Sequence, residues 1–250
     1  MPVTSSGIWW ETVGSGPVVM VGLPLMASQL DIFGKDGEAM RTAWEAALAD
    51  RYTLLLADYP GIGRSKDHDP ATMTVDRVVE DLLAVADAAG AARFAWVGYS
   101  WSGAVGLQLA IRTDRLTALA IGGWPPLGAP VAPLLAASRV RVGKVPDHAR
   151  VMLRCDDQYR QWPTFYASLG ADDDSRVRAL EGPRYLFFGG EGDLMEESHA
   201  VPIASRCRAH RAELETLGWT VQEFVGFGHD LIGQSDLVLP SIRAFLDARL

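Results

Sequence analysis

The feature of this sequence that most restricts its fold is the alternation of short apolar runs with amphipathic helical patterns. Runs such as 17–22, 52–58 and 93–98 are rich in Val, Leu or aromatic residues, which is typical of buried strands. Between the last two, the apolar residues of 74–90 recur at helical spacing, and Gly90 lies where a helix would end. Alternating β and α units predict an α/β fold with a mainly parallel sheet and helices on both faces.

The alternation returns near the C-terminus, but it is interrupted in the middle of the chain. From Gly123 to Pro183 no clean strand–helix unit occurs, and a structureless loop of that length is improbable in a compact domain. We therefore predict a small helical lid at 124–182, inserted into a core formed by 1–123 and 183–250. A second interpretation, in which the segment is the next helix of the sheet followed by a surface loop, stays open.

Composition and charge narrow the class of protein. The 250 residues are 48% hydrophobic and carry a formal net charge of −8, which disfavours binding to nucleic acid or to an anionic membrane surface. No apolar run approaches the roughly 20 residues that a membrane span needs, and the N-terminus lacks the pattern of a signal peptide. Two cysteines form neither a disulfide framework nor a metal cluster. The sequence thus predicts one cytoplasmic domain without a metal.

The sharpest local signal is a serine between a predicted strand and a predicted helix, in the segment 97–103, which reads VGYSWSG. A tight strand-to-helix turn projects the side chain of Ser100 away from the sheet, as a nucleophile requires. The helix beyond it presents N–H groups to a developing oxyanion. Small residues flank the serine at Gly98 and at Ser102, where glycine is usual. The competing interpretation of Ser100 is a buried helix-capping serine.

Other short motifs stand before and after this turn. They are Val21-Gly22-Leu23-Pro24, Asp58-Tyr59-Pro60-Gly61-Ile62-Gly63-Arg64-Ser65, Gly190-Glu191-Gly192-Asp193 and Gly226-Phe227-Gly228-His229. With the serine turn, they resemble the α/β-hydrolase superfamily over nearly the whole chain. The first is similar to the oxyanion loop of that family, the second to the glycine turn after the next strand, and the last two to its acid and base loops.

The resemblance implies a catalytic triad of Ser100, Asp193 and His229, in the order that this fold uses. Asp193 follows a predicted strand and should therefore lie at the carboxyl edge of the sheet, where sites in open α/β sheets collect. Glu191 remains an alternative acid, and Asp193 could instead be a solvated turn residue or a helix cap. His199 is the competing candidate for the base.

The resemblance also implies an oxyanion hole made by the backbone N–H groups of Leu23 and Trp101. Pro24 has no N–H and cannot contribute. Val21 replaces a histidine that commonly braces this loop in relatives, so the support of the loop is a question for the structure.

Apolar and aromatic residues near these motifs are candidates for the wall of a substrate pocket: Leu25, Met26, Trp124, Tyr159, Trp162 and Tyr166. Such a wall favours an uncharged, fairly hydrophobic small molecule. The competing interpretation is that the aromatic residues only fill the interface between lid and body.

Taken together, these patterns predict a cofactor-free serine hydrolase that cleaves a carboxylic ester or lactone through an acyl-enzyme. The same triad could instead serve C–C bond or amide hydrolysis, acyl transfer or perhydrolysis. A non-catalytic binder of small molecules is the alternative from another class, and the sequence leaves a homodimer open.

Overall fold

A seven-stranded sheet forms the centre of the computed structural model, which describes residues 2–250. Its spatial order is β1-β3-β2-β4-β5-β6-β9, and every neighbouring pair is parallel except β1 with β3. The strands are β1 Trp10–Gly14, β2 Val18–Val21, β3 Thr53–Ala57, β4 Phe94–Tyr99, β5 Leu116–Gly122, β6 Arg184–Gly189 and β9 Trp219–Phe224. A separate antiparallel hairpin consists of β7 Leu194–Glu196 and β8 His199–Val201. The predicted α/β architecture with a mainly parallel sheet is confirmed.

Ten α-helices accompany the strands. They are α1 Gln29–Leu48, α2 Val75–Ala88, α3 Trp101–Ala110, α4 Val131–Arg141, α5 Asp147–Arg150, α6 Gln161–Ala167, α7 Asp173–Arg178, α8 Ile203–Ala209, α9 Arg211–Thr216 and α10 Ser235–Asp247. A break at His210 separates α8 from α9. The first helix is kinked at Gly34, whose φ is 55°.

The two faces of the sheet are covered by two separate apolar cores. Successive residues of β4 alternate between them: Trp96 packs in one, and Val97 packs in the other. All six residues of β4 are buried, which explains why this strand is a continuous apolar run rather than an alternating one. Helix α3 is buried along most of its length, and a side chain at Gly106 would come within 2.4 Å of Trp96.

The segment between β5 and β6 holds α4 to α7 and a 3₁₀ helix, Asp156–Arg160. Its parts pack differently. Phe165 and Val177 belong to the same core as α3, whereas Val145, Ala149 and Tyr159 form a small cluster of their own. The C-terminal part of the segment is therefore integrated with the body of the molecule, whereas the middle part has a small buried cluster of its own and contacts the main core through Met152 and Leu153.

Two elements lie outside the predicted alternation. Strand β1 pairs antiparallel at the edge of the sheet, and its residues are mostly half-buried. The β7–β8 hairpin has three residues in each strand, too few for a period-two pattern to be recognised. Its turn uses positive φ at Glu197 and Ser198. No helix within residues 2–250 has the length and apolar character needed to cross a bilayer.

Candidate active site

Ser100 occupies a strained turn between β4 and α3. Its φ and ψ are 55° and −123°, a backbone conformation that non-glycine residues rarely adopt. Its backbone N–H donates to the carbonyl oxygen of Gly122 at the end of β5, 2.8 Å away, which ties the turn to the neighbouring strand. The hydroxyl reaches a cavity at the carboxyl edge of the sheet.

The turn is possible because its neighbours lack side chains. A Cβ at Gly98 would lie 2.6 Å from the carbonyl oxygen of Ser102. A Cβ at Gly22 would lie 1.8 Å from the hydroxyl of Ser102. Ser102 is therefore accommodated where glycine is usual because Gly22, in the loop after β2, leaves space for its hydroxyl, and this hydroxyl lies 3.4 Å from that of Tyr59.

The structure brings His229 to Ser100. Nε2 of the imidazole lies 2.8 Å from the Ser100 Oγ, although the two residues are far apart in sequence. The ring packs against Tyr99, with ring centroids 5.4 Å apart. Burial lowers the pKa of His229 from its usual value to about 4, an effect that the nearby Asp230 carboxylate partly opposes. The imidazole is therefore neutral near pH 7 and able to accept the serine proton.

Asp193 does not contact His229. Its side chain is exposed, and its carboxylate accepts hydrogen bonds from the backbone N–H of Ser205, at 2.9 Å, and from the Ser205 hydroxyl. Nδ1 of His229 is buried and has no hydrogen-bond partner in residues 2–250. The two loops are nevertheless adjacent, because the N–H of Glu191 donates to the carbonyl oxygen of Phe227 over 2.8 Å. The predicted serine–histidine pair is present, and the predicted aspartate–histidine contact is not.

The loop after β2 is braced by main-chain hydrogen bonds. The N–H of Gly22 donates to the carbonyl oxygen of Val97 at 2.8 Å, and the N–H of Tyr99 donates to that of Leu23 at 3.0 Å. These bonds fix the loop to β4 without the histidine that Val21 replaces. Within the described chain, the N–H groups of Leu23 and Trp101 donate to no protein acceptor, so both remain available to an oxyanion.

The glycine turn that begins at Asp58 has a structural role. The carboxylate of Asp58 is fully buried and accepts hydrogen bonds from the N–H and hydroxyl of Ser28, at 2.8 and 2.6 Å, and from the N–H of Arg64, at 3.0 Å. A Cβ at Gly63, whose φ is 52°, would lie 2.5 Å from that carboxylate. The motif thus anchors the start of α1 beside the loop after β2.

Ser100 and His229 open into a cavity of about 280 Å³. Its wall includes four of the six residues assigned from the sequence, namely Trp124, Tyr159, Trp162 and Tyr166. The other two, Leu25 and Met26, were assigned wrongly: both side chains are fully buried in the two cores and do not line the cavity. They lie in the turn that leads into α1, where each fills one face of the sheet.

The cavity also contains polar residues that the sequence analysis missed. Arg141 from α4 and Glu196 from β7 form an ion pair on its wall, and His148 and Ser138 lie nearby. Arg141 lies in the last turn of α4, where a basic residue is common, so its position carries no local signal of a pocket residue. Glu196 lies in a hairpin whose pairing only the folded chain reveals, so no local pattern could have joined the two residues.

A larger depression of about 630 Å³ lies at the opposite edge of the sheet, beside the starts of β5 and β6. It contains neither Ser100 nor His229. The Ser100–His229 pair therefore lies in the smaller of these two cavities.

Comparison with known proteins agrees with this architecture. Residues 35–175 match the family model of the alpha/beta hydrolase fold, which is more than half of the chain. The chain belongs to the α/β-hydrolase family.

Curated relatives match over part of their length. The chain is 34% identical over 110 residues to a putative carbamate hydrolase, RutD, of Klebsiella pneumoniae, which covers 43% of this chain and 41% of the relative. It is also 34% identical over 123 residues to the putative carbamate hydrolase RutD of Caulobacter vibrioides, covering 48% and 44% respectively. The chain thus matches less than half the length of these relatives.

Solved structures match along the whole fold. A thermophilic esterase from Thermogutta terrifontis has a TM-score of 0.72 at 16% identity, covering 98% of this chain and 97% of its own. The enol-lactonase from Burkholderia xenovorans LB400 has a TM-score of 0.70 at 18% identity, covering 96% of each chain. At these identities the likeness concerns the fold.

Proposed function

We propose that the protein hydrolyses a carboxylic ester or lactone of a small, largely apolar substrate through an acyl-enzyme. The observation that carries this proposal is the 2.8 Å separation between the Ser100 Oγ and Nε2 of a half-buried, neutral His229. The cavity of about 280 Å³ is slightly smaller than typical small-molecule sites, which begin at roughly 300 Å³, so it favours a small substrate. The structural neighbours include one protein named an esterase and one named an enol-lactonase.

In the proposed mechanism, the Ser100 hydroxyl transfers its proton to Nε2 of His229 as its oxygen attacks the substrate carbonyl carbon. The N–H groups of Leu23 and Trp101 stabilise the resulting oxyanion. Collapse of this intermediate expels the alcohol, which takes the proton from His229. A water molecule then gives a proton to His229 and attacks the acyl carbon, and Ser100 leaves as the free hydroxyl.

We assign the role of acid to Asp193. An imidazolium forms on His229 during each half of the reaction, and its Nδ1–H needs an acceptor. The acid loop is hydrogen-bonded to the base loop, and in this proposal the Asp193 side chain rotates away from Ser205 to provide such an acceptor. Glu191 remains the competing residue.

The decisive experiment compares wild type with the variant Ser100→Ala on a panel of short-chain esters, lactones and amides. We expect kcat/KM for the preferred substrate to fall by at least about 10⁴-fold, because the nucleophile is lost. A fluorophosphonate probe should label wild type at Ser100 only. Full turnover by Ser100→Ala would contradict the mechanism, and absence of both labelling and turnover would favour a non-catalytic binder.

Carbamate hydrolysis is the second candidate, because the curated relatives are named putative carbamate hydrolases. A carbamate differs from a carboxylic ester in carrying nitrogen instead of carbon on the acyl side of the carbonyl that Ser100 would attack. Including carbamates in the panel separates the two candidates by their relative kcat/KM.

A further inference from the structure

An ion pair lies inside the cavity that holds the nucleophile. Nη2 of Arg141, in the last turn of α4, pairs with Glu196 of β7, and both side chains line the same cavity as Ser100 and His229. The two side chains are only 19% and 21% exposed. The ion pair is therefore shielded from most of the bulk water and borders the cavity. Aromatic residues form much of the remaining cavity wall.

A hydrogen bond to a residue outside the cavity holds the Arg141 guanidinium in place. Its Nε donates to the Glu197 carboxylate at 3.0 Å, and Glu197 does not line the cavity. Burial favours the neutral form of Arg141, but hydrogen bonds to Glu197 and Tyr159 and the attraction of Glu196 more than offset it and raise the pKa. Arg141 is therefore a cation held in one position, and it already serves as the counter-ion of Glu196.

This arrangement discriminates among the groups that a substrate could place there. A carboxylate would meet Arg141 but would be repelled by Glu196 and Glu197. An ammonium group would meet Glu196 but would be repelled by Arg141. An apolar group would remove water from the ion pair without forming a hydrogen bond to either member. A neutral group with both a donor and an acceptor can bond to both members at once.

We propose that Arg141 and Glu196 form a specificity subsite for a neutral polar group, of the carboxamide type, at the end of the acyl chain remote from the scissile bond. The carbonyl oxygen of that group accepts from Arg141, and its N–H donates to Glu196. This proposal rests on the proposed esterase activity, because it places the reacting carbonyl at Ser100.

The test uses four methyl esters of matched length, those of heptanoic, adipamic, adipic and 6-aminohexanoic acids, which end in methyl, carboxamide, carboxylate and ammonium groups. For wild type we expect kcat/KM to be highest for the carboxamide, by at least about tenfold over each of the other three. Equal or greater kcat/KM for the carboxylate or ammonium ester would overturn the proposal.

Substitution of each member of the ion pair should change the end-group preference, and the two changes should be opposite in sign. Glu196→Gln should raise kcat/KM for the carboxylate ester at least about tenfold, since Arg141 loses its cavity-facing counter-ion. Arg141→Gln should raise kcat/KM for the ammonium ester, and Arg141→Lys should restore part of the wild-type order. Arg139→Gln is the matched control, because Arg139 is exposed on the same helix and does not line the cavity. An unchanged order in Glu196→Gln would contradict the subsite.

A binding measurement separates this proposal from the proposed function. Calorimetry with Ser100→Ala and the same four esters reports end-group preference without turnover. Tightest binding of the carboxamide ester supports the subsite even if wild type hydrolyses none of the four. Turnover without any end-group preference would leave the esterase proposal standing and would refute the subsite.

Discussion

At the residue scale, the chemistry of this protein depends on what each nitrogen of one imidazole contacts. Nε2 of His229 faces Ser100, while Nδ1 is buried without a partner in the described chain and Asp193 is bonded to Ser205. A buried N–H without an acceptor lowers stability by about 1–3 kcal/mol. A hydrogen bond from Nδ1–H to the Asp193 carboxylate would remove this cost. In the proposed triad, Ser205 and His229 compete for the same carboxylate.

The pH dependence of activity reports this competition. His229 acts as a base only when unprotonated, and burial has lowered its pKa to about 4, so kcat/KM of wild type should hold down to about pH 5 and fall below that. Ser205→Ala removes one of the two donors that hold Asp193, and the freed carboxylate should raise the pKa of His229. We expect the acidic limb of the kcat/KM profile to move up by at least about one pH unit.

The control for this experiment is Ser175→Ala, since Ser175 is exposed on α7. It should leave the profile unchanged. A wild-type limb at or above the ordinary histidine value of about 6.5 would contradict the resting arrangement described above.

At the scale of elements, the strand–turn–helix unit from β4 to α3 depends on close packing around the nucleophile. Gly98 faces the backbone oxygen of Ser102, a rigid neighbour in the first turn of α3. Because backbone cannot rotate away as a side chain can, any added atom must displace the helix start and with it the N–H of Trp101.

Gly98→Ala should therefore lower both stability and activity. Overpacking of this kind costs about 1–3 kcal/mol, which corresponds to a fall in Tm of roughly 3–10 °C for a chain of this size. Gly233→Ala is the matched control, because a Cβ there would meet nothing within 4 Å. Circular dichroism melting measures Tm for both, and an equal Tm for the two variants would refute this account of the turn.

At the scale of the whole molecule, the strands and the segment 124–182 differ in how much buried apolar packing surrounds them. Strands β4 and β5 are covered on both faces, whereas Val145, Ala149 and Tyr159 form a cluster of three buried residues outside the two main cores. Regions with few buried apolar contacts open with lower free energy than the core.

Hydrogen exchange followed by mass spectrometry should resolve this difference. Amides of 142–153 should exchange at least about a hundredfold faster than those of β4, because local opening of α5 exposes little apolar surface. Amides of α6 provide the internal control, since Phe165 of that helix packs in the main core. They should be protected more strongly than those of 142–153, and uniform protection across the segment would show that it opens only with the whole domain.

Much of the fold could be predicted because its signals are local. Apolar runs marked β2, β3 and β4, and helical spacing marked α2, each within two residues, and the turn at Ser100 was recognisable from its flanking small residues. The kink at Gly34, the edge strand β1 and the β7–β8 hairpin were missed, since short or half-buried elements leave no periodic pattern. Leu25 and Met26 were misassigned because apolar character does not distinguish a core residue from a pocket wall.

The sequence by itself determined the parallel sheet and the order of the motifs, because strand ends and tight turns are encoded by neighbouring residues. Its family resemblance pointed to Ser100 and His229, whose side chains the structure brings within 2.8 Å of each other. Only the tertiary structure decided which partner holds Asp193 and that Arg141 and Glu196 share the cavity with Ser100. Those contacts join side chains from separate elements, and their geometry is set by how the elements pack together rather than by any local pattern.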